Sequence, residues 1–141
     1  MNSPDFDLAR NGRTEELASK LALGLSIESR DPKGNSLLML AAYHGHTETV
    51  CMLLKAGAQP DSRNHKGQTP LGGVAFKGYI EIAKLLLDAG ADPLADQGGS
   101  KPADFANTFG RTEIIALLNE RVANAGRPTR WYSRLIALFR R

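Results

Sequence analysis

The sequence predicts an all-α solenoid in which short helix-turn-helix units stack side by side. Two segments of 33 residues match each other in register, and apolar residues within them follow helical spacing. The composition is 42% hydrophobic but only 6% aromatic, which favours helices packed through small residues over a sandwich or barrel. Because one such unit cannot bury its apolar face alone, neighbouring units must stack to form a core.

The repeat is anchored by glycines at equivalent positions of residues 31–63 and residues 64–96. The matched pairs are Gly34 with Gly67, Gly45 with Gly78, and Gly57 with Gly90. A further copy follows with one residue deleted, and a divergent copy precedes them. We therefore predict a repeat domain over residues 1–126 and a separate tail over residues 127–141. The four predicted units are approximately residues 1–30, 31–63, 64–96 and 97–126.

Each unit is predicted to hold two short helices separated by a glycine. In the second unit the inner helix is predicted over residues 37–44 and the outer helix over residues 48–55. Val50, Leu53 and Leu54 follow i, i+3, i+4 spacing, which places them on one helix face. The outer helix is therefore expected to be amphipathic, with this face towards the core.

Turn and capping residues mark where the helices end. Gly57 and Gly90 follow the outer helices, at the position where a helix C-terminus favours positive φ. Thr69 can cap the helix that begins at Pro70. Proline is well suited to the first helical position, because the N–H that it lacks would have no partner there.

The segment TPLGGVAFKGYIEIAKLLLDAGADP, residues 69–93, resembles an ankyrin repeat, and the other units are similar to it. The segments GNSLLMLAAYHGH and GQTPLGGVAFKG also resemble small stand-alone ankyrin proteins that are common in bacteria. The resemblance implies a solenoid with hairpin-like turns and a non-catalytic role in binding another protein. Ankyrin solenoids present a concave surface built from turn tips and inner-helix ends.

The third unit departs from the family pattern. Gly72 stands where the family usually has a turn-locking histidine, and Gly73 follows it. Each glycine in a helix costs about 1 kcal/mol relative to alanine. We therefore predict that this unit is a soft point of the solenoid, which hydrogen exchange would detect.

His44 and His46 flank Gly45, and two histidines this close together could bind a metal ion. The equivalent residues of the next unit are Lys77-Gly78-Tyr79, so the turn does not need histidine. The resemblance places His46 where ankyrin repeats often have a histidine, which implies that it bonds loop backbone between units. His44 is predicted either to contact a partner or to lie at a solvated helix end, and His65 is a weak candidate third ligand. We therefore predict no metal site.

The resemblance places candidate partner-binding residues at the turn tips and before the mid-unit glycines. This set combines aromatic and cationic side chains and contains no acid, as interaction hot spots often do. The alternative is that Tyr43 and Phe76 only pack between units. The candidates are Lys33, Asn35, Tyr43, His44, His65, Lys66, Gln68, Phe76, Lys77 and Phe109.

No catalytic motif is present in the sequence. A phosphate-binding loop, a G-x-S-x-G nucleophile elbow and an HExxH zinc motif are all missing. The Gly98-Gly99-Ser100-Lys101 stretch lacks the spacing of a phosphate loop and is interpreted as a hairpin. We predict no enzyme activity, no catalytic residue and no cofactor.

The tail carries the basic charge of the chain. Residues 127–141 contain five arginines and no acid, so the formal net charge of +3 leaves residues 1–126 at −2. A C-terminal amphipathic helix is predicted there, and it could cap the solenoid or bind an anionic membrane or a partner. Nucleic acid is disfavoured because the repeats offer no basic groove. The candidate contact residues are Trp131, Arg134, Leu135, Leu138 and Phe139.

A cytoplasmic location is predicted from the N-terminus, which has no signal-peptide pattern, and from the single cysteine. The favoured function is a module that binds a partner protein through its concave surface. Two alternatives remain: a membrane-surface adaptor anchored by the tail, and an inhibitor or immunity-type protein that covers an enzyme.

Overall fold

A computed structural model describes residues 3–125, and regular secondary structure in that range is helical, which confirms the all-α prediction. The four helix pairs, which we call units 1 to 4 in chain order, match the predicted number of repeats. The helices of the described range are α1 (Pro4–Arg10), α2 (Thr14–Ala22), α3 (Leu37–Tyr43), α4 (Thr47–Lys55), α5 (Pro70–Lys77), α6 (Ile80–Asp88), α7 (Pro102–Thr108) and α8 (Thr112–Asn124).

The helices form two layers. The odd-numbered inner helices contact one another in the order α1, α3, α5, α7, and the even-numbered outer helices contact one another in the order α2, α4, α6, α8. Each inner helix also packs on the outer helix of its own unit. These main contacts join helices of one unit or of neighbouring units, which is the architecture of a solenoid.

The core lies between the two layers. Each outer helix contributes a leucine that is at most 1% exposed: Leu17, Leu53, Leu86 and Leu118. Burial of one such side chain contributes about 1.5–3 kcal/mol. The inner helices contribute fully buried alanines, including Ala41 and Ala75, whose small size allows adjacent inner helices to approach closely. This packing explains the low aromatic content of the sequence.

The residue after each mid-unit glycine packs against the preceding unit. The His46 ring lies against Gly12, where an added Cβ would stand 2.5 Å from Nδ1. The His46 Nε2 atom is also 2.6 Å from the carbonyl oxygen of Arg10, which confirms that His46 bonds backbone between units. Arg111 lies in the same way over Gly78. Both glycines also have positive φ, so a side chain there would be strained and would have to displace the His46 ring or the Arg111 side chain.

The helix ends lie within one residue of their predicted positions. The inner helix of unit 2 ends at Tyr43 with His44 as its C-cap, and the outer helix begins at Thr47. The Thr69 hydroxyl accepts a hydrogen bond from the Gly72 N–H at 3.2 Å, so threonine caps α5 as predicted.

Gln97 of unit 4 fills the space left by the missing histidine of unit 3. Its Oε1 atom accepts a hydrogen bond from the Thr69 N–H at 2.8 Å. Its amide nitrogen occupies the place where a Cβ of Gly72 would stand, and it has no hydrogen-bond partner within the described residues although it is buried. A side chain at position 72 would therefore have to displace the Gln97 amide.

The last described unit presents polar side chains to the end of the stack. With its one-residue deletion, Asn107 is equivalent to Ala75, and Asn119 is equivalent to Leu87. Ala75 and Leu87 are buried under unit 4, whereas Asn107 and Asn119 are exposed. The end of the stack is thus suited to contact with water, as in terminal capping repeats.

The predicted C-terminal amphipathic helix, with all its candidate contact residues, lies outside the described residues. Across residues 3–125, none of the helices combines the length and apolar character that crossing a membrane requires.

Candidate functional site

A groove of about 1270 Å³ runs along the concave side of the solenoid. One wall consists of the turns that begin units 2 and 3, and the floor consists of α3 and α5 with contributions from α1 and α7. The groove therefore depends on stacking, because residues of all four units contribute to its lining.

Eight of the ten candidate partner-binding residues line this groove, namely Lys33, Asn35, Tyr43, His44, His65, Lys66, Gln68 and Phe76. The other two contact residues of the lining. The Lys77 Nζ atom lies 4.8 Å from the centroid of the Tyr43 ring, within the range of a cation–π interaction. The Phe109 ring packs edge-on against Phe76, with 4.5 Å between centroids.

Polar side chains hold the turns that carry the groove lysines. Asp31 Oδ1 accepts hydrogen bonds from the N–H groups of Lys33 and Asn35 at 2.9 and 2.8 Å. Asn64 repeats this arrangement in unit 3, where its Oδ1 accepts from the Lys66 N–H at 3.0 Å. Since the backbone is fixed in this way, both lysine side chains project from the turns and are exposed.

The aromatic residues of the groove are partly exposed. Tyr43 is 41% exposed and Phe109 is 47% exposed, while Phe76 is half-buried. The His44 ring lies edge-on to Tyr43 at 5.5 Å between centroids. These contacts order the rings, yet they leave apolar surface open to solvent on the floor of the groove.

The groove also contains two acids that the sequence-based set lacked, Asp7 and Asp31. Both are ion-paired with Arg10, at 2.7 Å for Asp7 and 3.3 Å for Asp31. Burial alone would raise the pKa of Asp31. Hydrogen bonds from Asn35 and Lys33, together with the Arg10 charge, outweigh burial and lower this pKa below its ordinary value.

His44 is held towards its neutral form. Burial lowers its pKa below the ordinary 6.5, and the nearby His46, Lys77 and Arg10 add to this effect. A neutral imidazole can donate one hydrogen bond and accept another, so His44 contributes polarity to the groove at neutral pH more than it contributes charge.

Sequence reasoning missed the floor of the groove and the groups from adjacent units. Met39 and Leu40 appear as core residues, at 7% and 6% exposure, but their edges form the floor. Helical spacing could have identified them, because they lie four residues before Tyr43 and His44. Phe105 of unit 4, also in the lining, could not be found in this way since stacking brings it there.

No group of three metal-binding side chains comes together in the described part of the chain. His65 lies at a turn and lines the groove, while the His46 ring bonds the backbone of unit 1.

A family model for ankyrin repeats, three copies in length, matches this chain over residues 6–97 and again over residues 38–127. The two overlapping matches cover most of the sequence. The chain belongs to the ankyrin repeat family. Ankyrin repeats are typically non-catalytic protein–protein interaction modules, and the stacked units and concave groove agree with this role.

A Pseudomonas aeruginosa protein, PA3287, which is named as an ankyrin repeat protein, is 54% identical to this chain over 39 residues. The matched segment is 28% of this chain and 23% of that relative. The chain therefore spans less than a quarter of the relative's length, and the similarity amounts to about one ankyrin unit.

Proposed function

We propose that this ankyrin solenoid is a non-catalytic cytoplasmic module that binds a partner protein in its concave groove. The observation that supports this proposal best is the groove itself, whose lining combines partly exposed aromatic rings with exposed lysines of two successive turns. Aromatic anchors beside polar groups are typical of interaction hot spots. The ten candidate residues named from the sequence are the proposed contacts.

Stacking orders the groove before a partner arrives. Lys77 and His44 hold the Tyr43 ring from two sides, and Phe109 holds Phe76. Ordering a flexible side chain on binding costs about 0.5–1.5 kcal/mol. Because these side chains already have contacts in the free protein, we propose that little of this cost remains at association.

Affinity purification from cells tests the proposal. We expect the full chain to capture a protein that a Tyr43→Ala, Phe76→Ala variant loses. A Leu23→Ala, Lys55→Ala variant is the control, because Leu23 is 85% exposed and both residues lie outside the groove lining. Circular dichroism must show that all three proteins are folded.

Capture of the same partner by the folded groove variant and by wild type would contradict the proposal. A parallel capture with a chain that ends after Gly126 separates the repeats from the tail. If only the full chain retains the partner, recognition belongs to the tail, and the groove residues are not the binding site.

A second candidate function is supported by the polar end of unit 4. Since Asn107 and Asn119 are already exposed and polar, the solenoid has little need of an apolar cap. We propose that the arginine-rich tail is then available to bind an anionic membrane surface. Salt-sensitive binding to anionic but not zwitterionic liposomes, lost in an Arg134→Glu, Leu135→Glu variant, is the expected result. Equal binding to both liposome types would contradict it.

A further inference from the structure

We infer that the occupant of the groove is an acidic segment of another protein that carries one large apolar side chain between its acids. This inference rests on the proposed function, and it adds the chemistry of the partner. Three observations support it: lysines without counter-ions, acids that are already paired with an arginine, and a partly exposed apolar floor.

The groove lysines are free to pair with a ligand. Lys33 and Lys66 are exposed, and neither forms an ion pair with any residue of the described range. They stand at equivalent positions of successive turns, so they form a row along one side of the groove. Lys77 also lacks an acidic partner in that range and lies over Tyr43. A row of unpaired cations attracts an anionic ligand and discriminates against a cationic one.

The acids of the groove do not cancel this charge. Asp7 and Asp31 are both bound to Arg10, and Asp31 additionally accepts hydrogen bonds from its own turn. Asp31 is only 5% exposed, which removes its carboxylate from contact with a ligand. The Asp7 side chain is 60% exposed, but Arg10 offsets one of the two acids, so they leave one negative charge against the three positive charges of Lys33, Lys66 and Lys77. The groove is therefore net positive.

The floor of the groove, beside the lysines, is largely apolar. Tyr43 is 41% exposed there, and Phe76, Met39 and Phe105 complete the lining. An apolar side chain of the partner would remove this surface from water, which favours binding. Acids on both sides of that side chain would reach the lysines at the rim.

Two other occupants fit less well. The chain's own tail, residues 127–141, has five arginines and no acid, so the lysines would repel it. Nucleic acid is bound through many phosphate contacts and through bases stacked on open rings. Here the turns supply one lysine each, Lys77 covers Tyr43 and Phe109 covers an edge of Phe76. The acidic protein segment is the occupant that uses both the charge and the apolar floor.

A phage-displayed library of random peptides, selected against the full-length chain, tests this inference. We expect the enriched peptides to be rich in Asp and Glu around one large apolar residue. A synthetic copy of the best peptide should bind about tenfold more weakly to a Lys33→Glu, Lys66→Glu variant. It should also bind more weakly to Tyr43→Ala. Raising the salt from about 0.1 M to about 1 M shortens the screening length from about 10 Å to about 3 Å and should weaken binding further.

The matched control is a Lys20→Glu, Lys55→Glu variant, which changes the net charge equally on the outer helices. Both control lysines are exposed and lie outside the groove lining, so peptide affinity should change less than twofold, or about 0.4 kcal/mol. The groove variant should stay folded, because Asp31 and Asn64 bond only the backbone N–H groups of Lys33 and Lys66.

The outcomes separate this inference from the proposed function. Neutral or basic peptides that still depend on Tyr43 would overturn the acidic partner while the groove remains the binding site. Peptides insensitive to every groove substitution would overturn both. An absence of enriched peptides, competition by a peptide of residues 127–141, or tighter Lys33-dependent binding of a 20-nucleotide single-stranded DNA would each overturn the acidic segment as the occupant.

Discussion

Asp31 is a charged residue in the turn that begins unit 2, and its side chain is buried. It is 5% exposed, and its two oxygens accept hydrogen bonds from the backbone and side chain of Asn35, from Lys33 and from Arg10. An uncompensated buried charge would be very unfavourable, so these bonds are the reason that this carboxylate is tolerated. Asn64 has the equivalent place in unit 3, where an amide oxygen suffices for the turn.

An Asp31→Ala substitution is expected to lower the free energy of unfolding at neutral pH by about 1–3 kcal/mol, since it leaves the part-buried N–H groups of Lys33 and Asn35 without their acceptor and removes one of the two carboxylates that pair with Arg10. Because the pKa of Asp31 is lowered in the folded protein, the carboxylate stabilises above its ordinary pKa of 3.8, and the benefit is lost as pH falls through the folded value. Urea unfolding at several pH values measures this. Asp88→Ala, which breaks an exposed pair with Arg121, is the control and should cost at most about 1 kcal/mol.

His44 should titrate below 6.5, because burial and the charges of His46, Lys77 and Arg10 lower its pKa. A Lys77→Met substitution removes one of these charges and should raise the value. A lowered histidine pKa means that protonation favours the unfolded state, so stability is full above 6.5 and declines as pH falls towards the folded pKa. Nuclear magnetic resonance titration of the imidazole checks this, and a His44 pKa at or above 6.5 would contradict it.

At the scale of one element, α5 contains two adjacent glycines with different surroundings. A Cβ at Gly72 would occupy the position of the Gln97 amide, whereas a Cβ at Gly73 would meet only Tyr43, at 3.2 Å. Tyr43 is partly exposed and can move, but Gln97 is hydrogen-bonded to Thr69. Helix propensity predicts the same cost for both glycines, but their packing contacts differ.

We expect Gly73→Ala to raise the free energy of unfolding by about 0.5–1 kcal/mol, because alanine favours helix over glycine. Gly72→Ala should instead lower it by about 1–3 kcal/mol, since the new methyl group displaces Gln97. Chemical denaturation of the two single variants compares them directly. If both variants are stabilised to the same extent, Gln97 does not hold α5.

The softness predicted for unit 3 from its glycines is accessible to hydrogen exchange. Amide protons of α5 should exchange faster than those of α3, and Gly73→Ala should slow them. Slower exchange in α5 than in α3 of the wild type would contradict the prediction.

At the scale of the whole molecule, the stack ends in polar residues. Asn107 and Asn119 replace residues that are buried in unit 3, so removing whatever follows unit 4 should expose little apolar surface there. We therefore expect a chain that ends after Gly126 to unfold at nearly the same denaturant concentration as the full chain. A loss of more than about 2 kcal/mol, comparable to burial of one large side chain, would show that the tail caps the solenoid.

The sequence by itself determined the all-α class, the four units and the helix ends, because these follow from local rules. A repeat of apolar spacing specifies which helix face is buried, and Thr69, Pro70 and the glycines specify where helices begin and end. The role of His46 was predicted from the resemblance to ankyrin repeats, which often have histidine at this position, while the varied chemistry of its equivalents argued only against a metal site. Eight residues of the groove lining were predicted from the sequence, because equivalent positions of successive repeats lie at equivalent places in the stack.

The tertiary structure alone decided which distant groups meet. The pairing of Arg10 with Asp31 joins units 1 and 2, and the insertion of Gln97 against Gly72 joins units 3 and 4. Nothing in the local pattern at Gly72 specifies Gln97, because the contact depends on the stacking distance and on a side chain in the next repeat. Local periodicity determines the helices and turns of each unit. The charge and shape of the groove depend on contacts between units, which form only when the units are stacked.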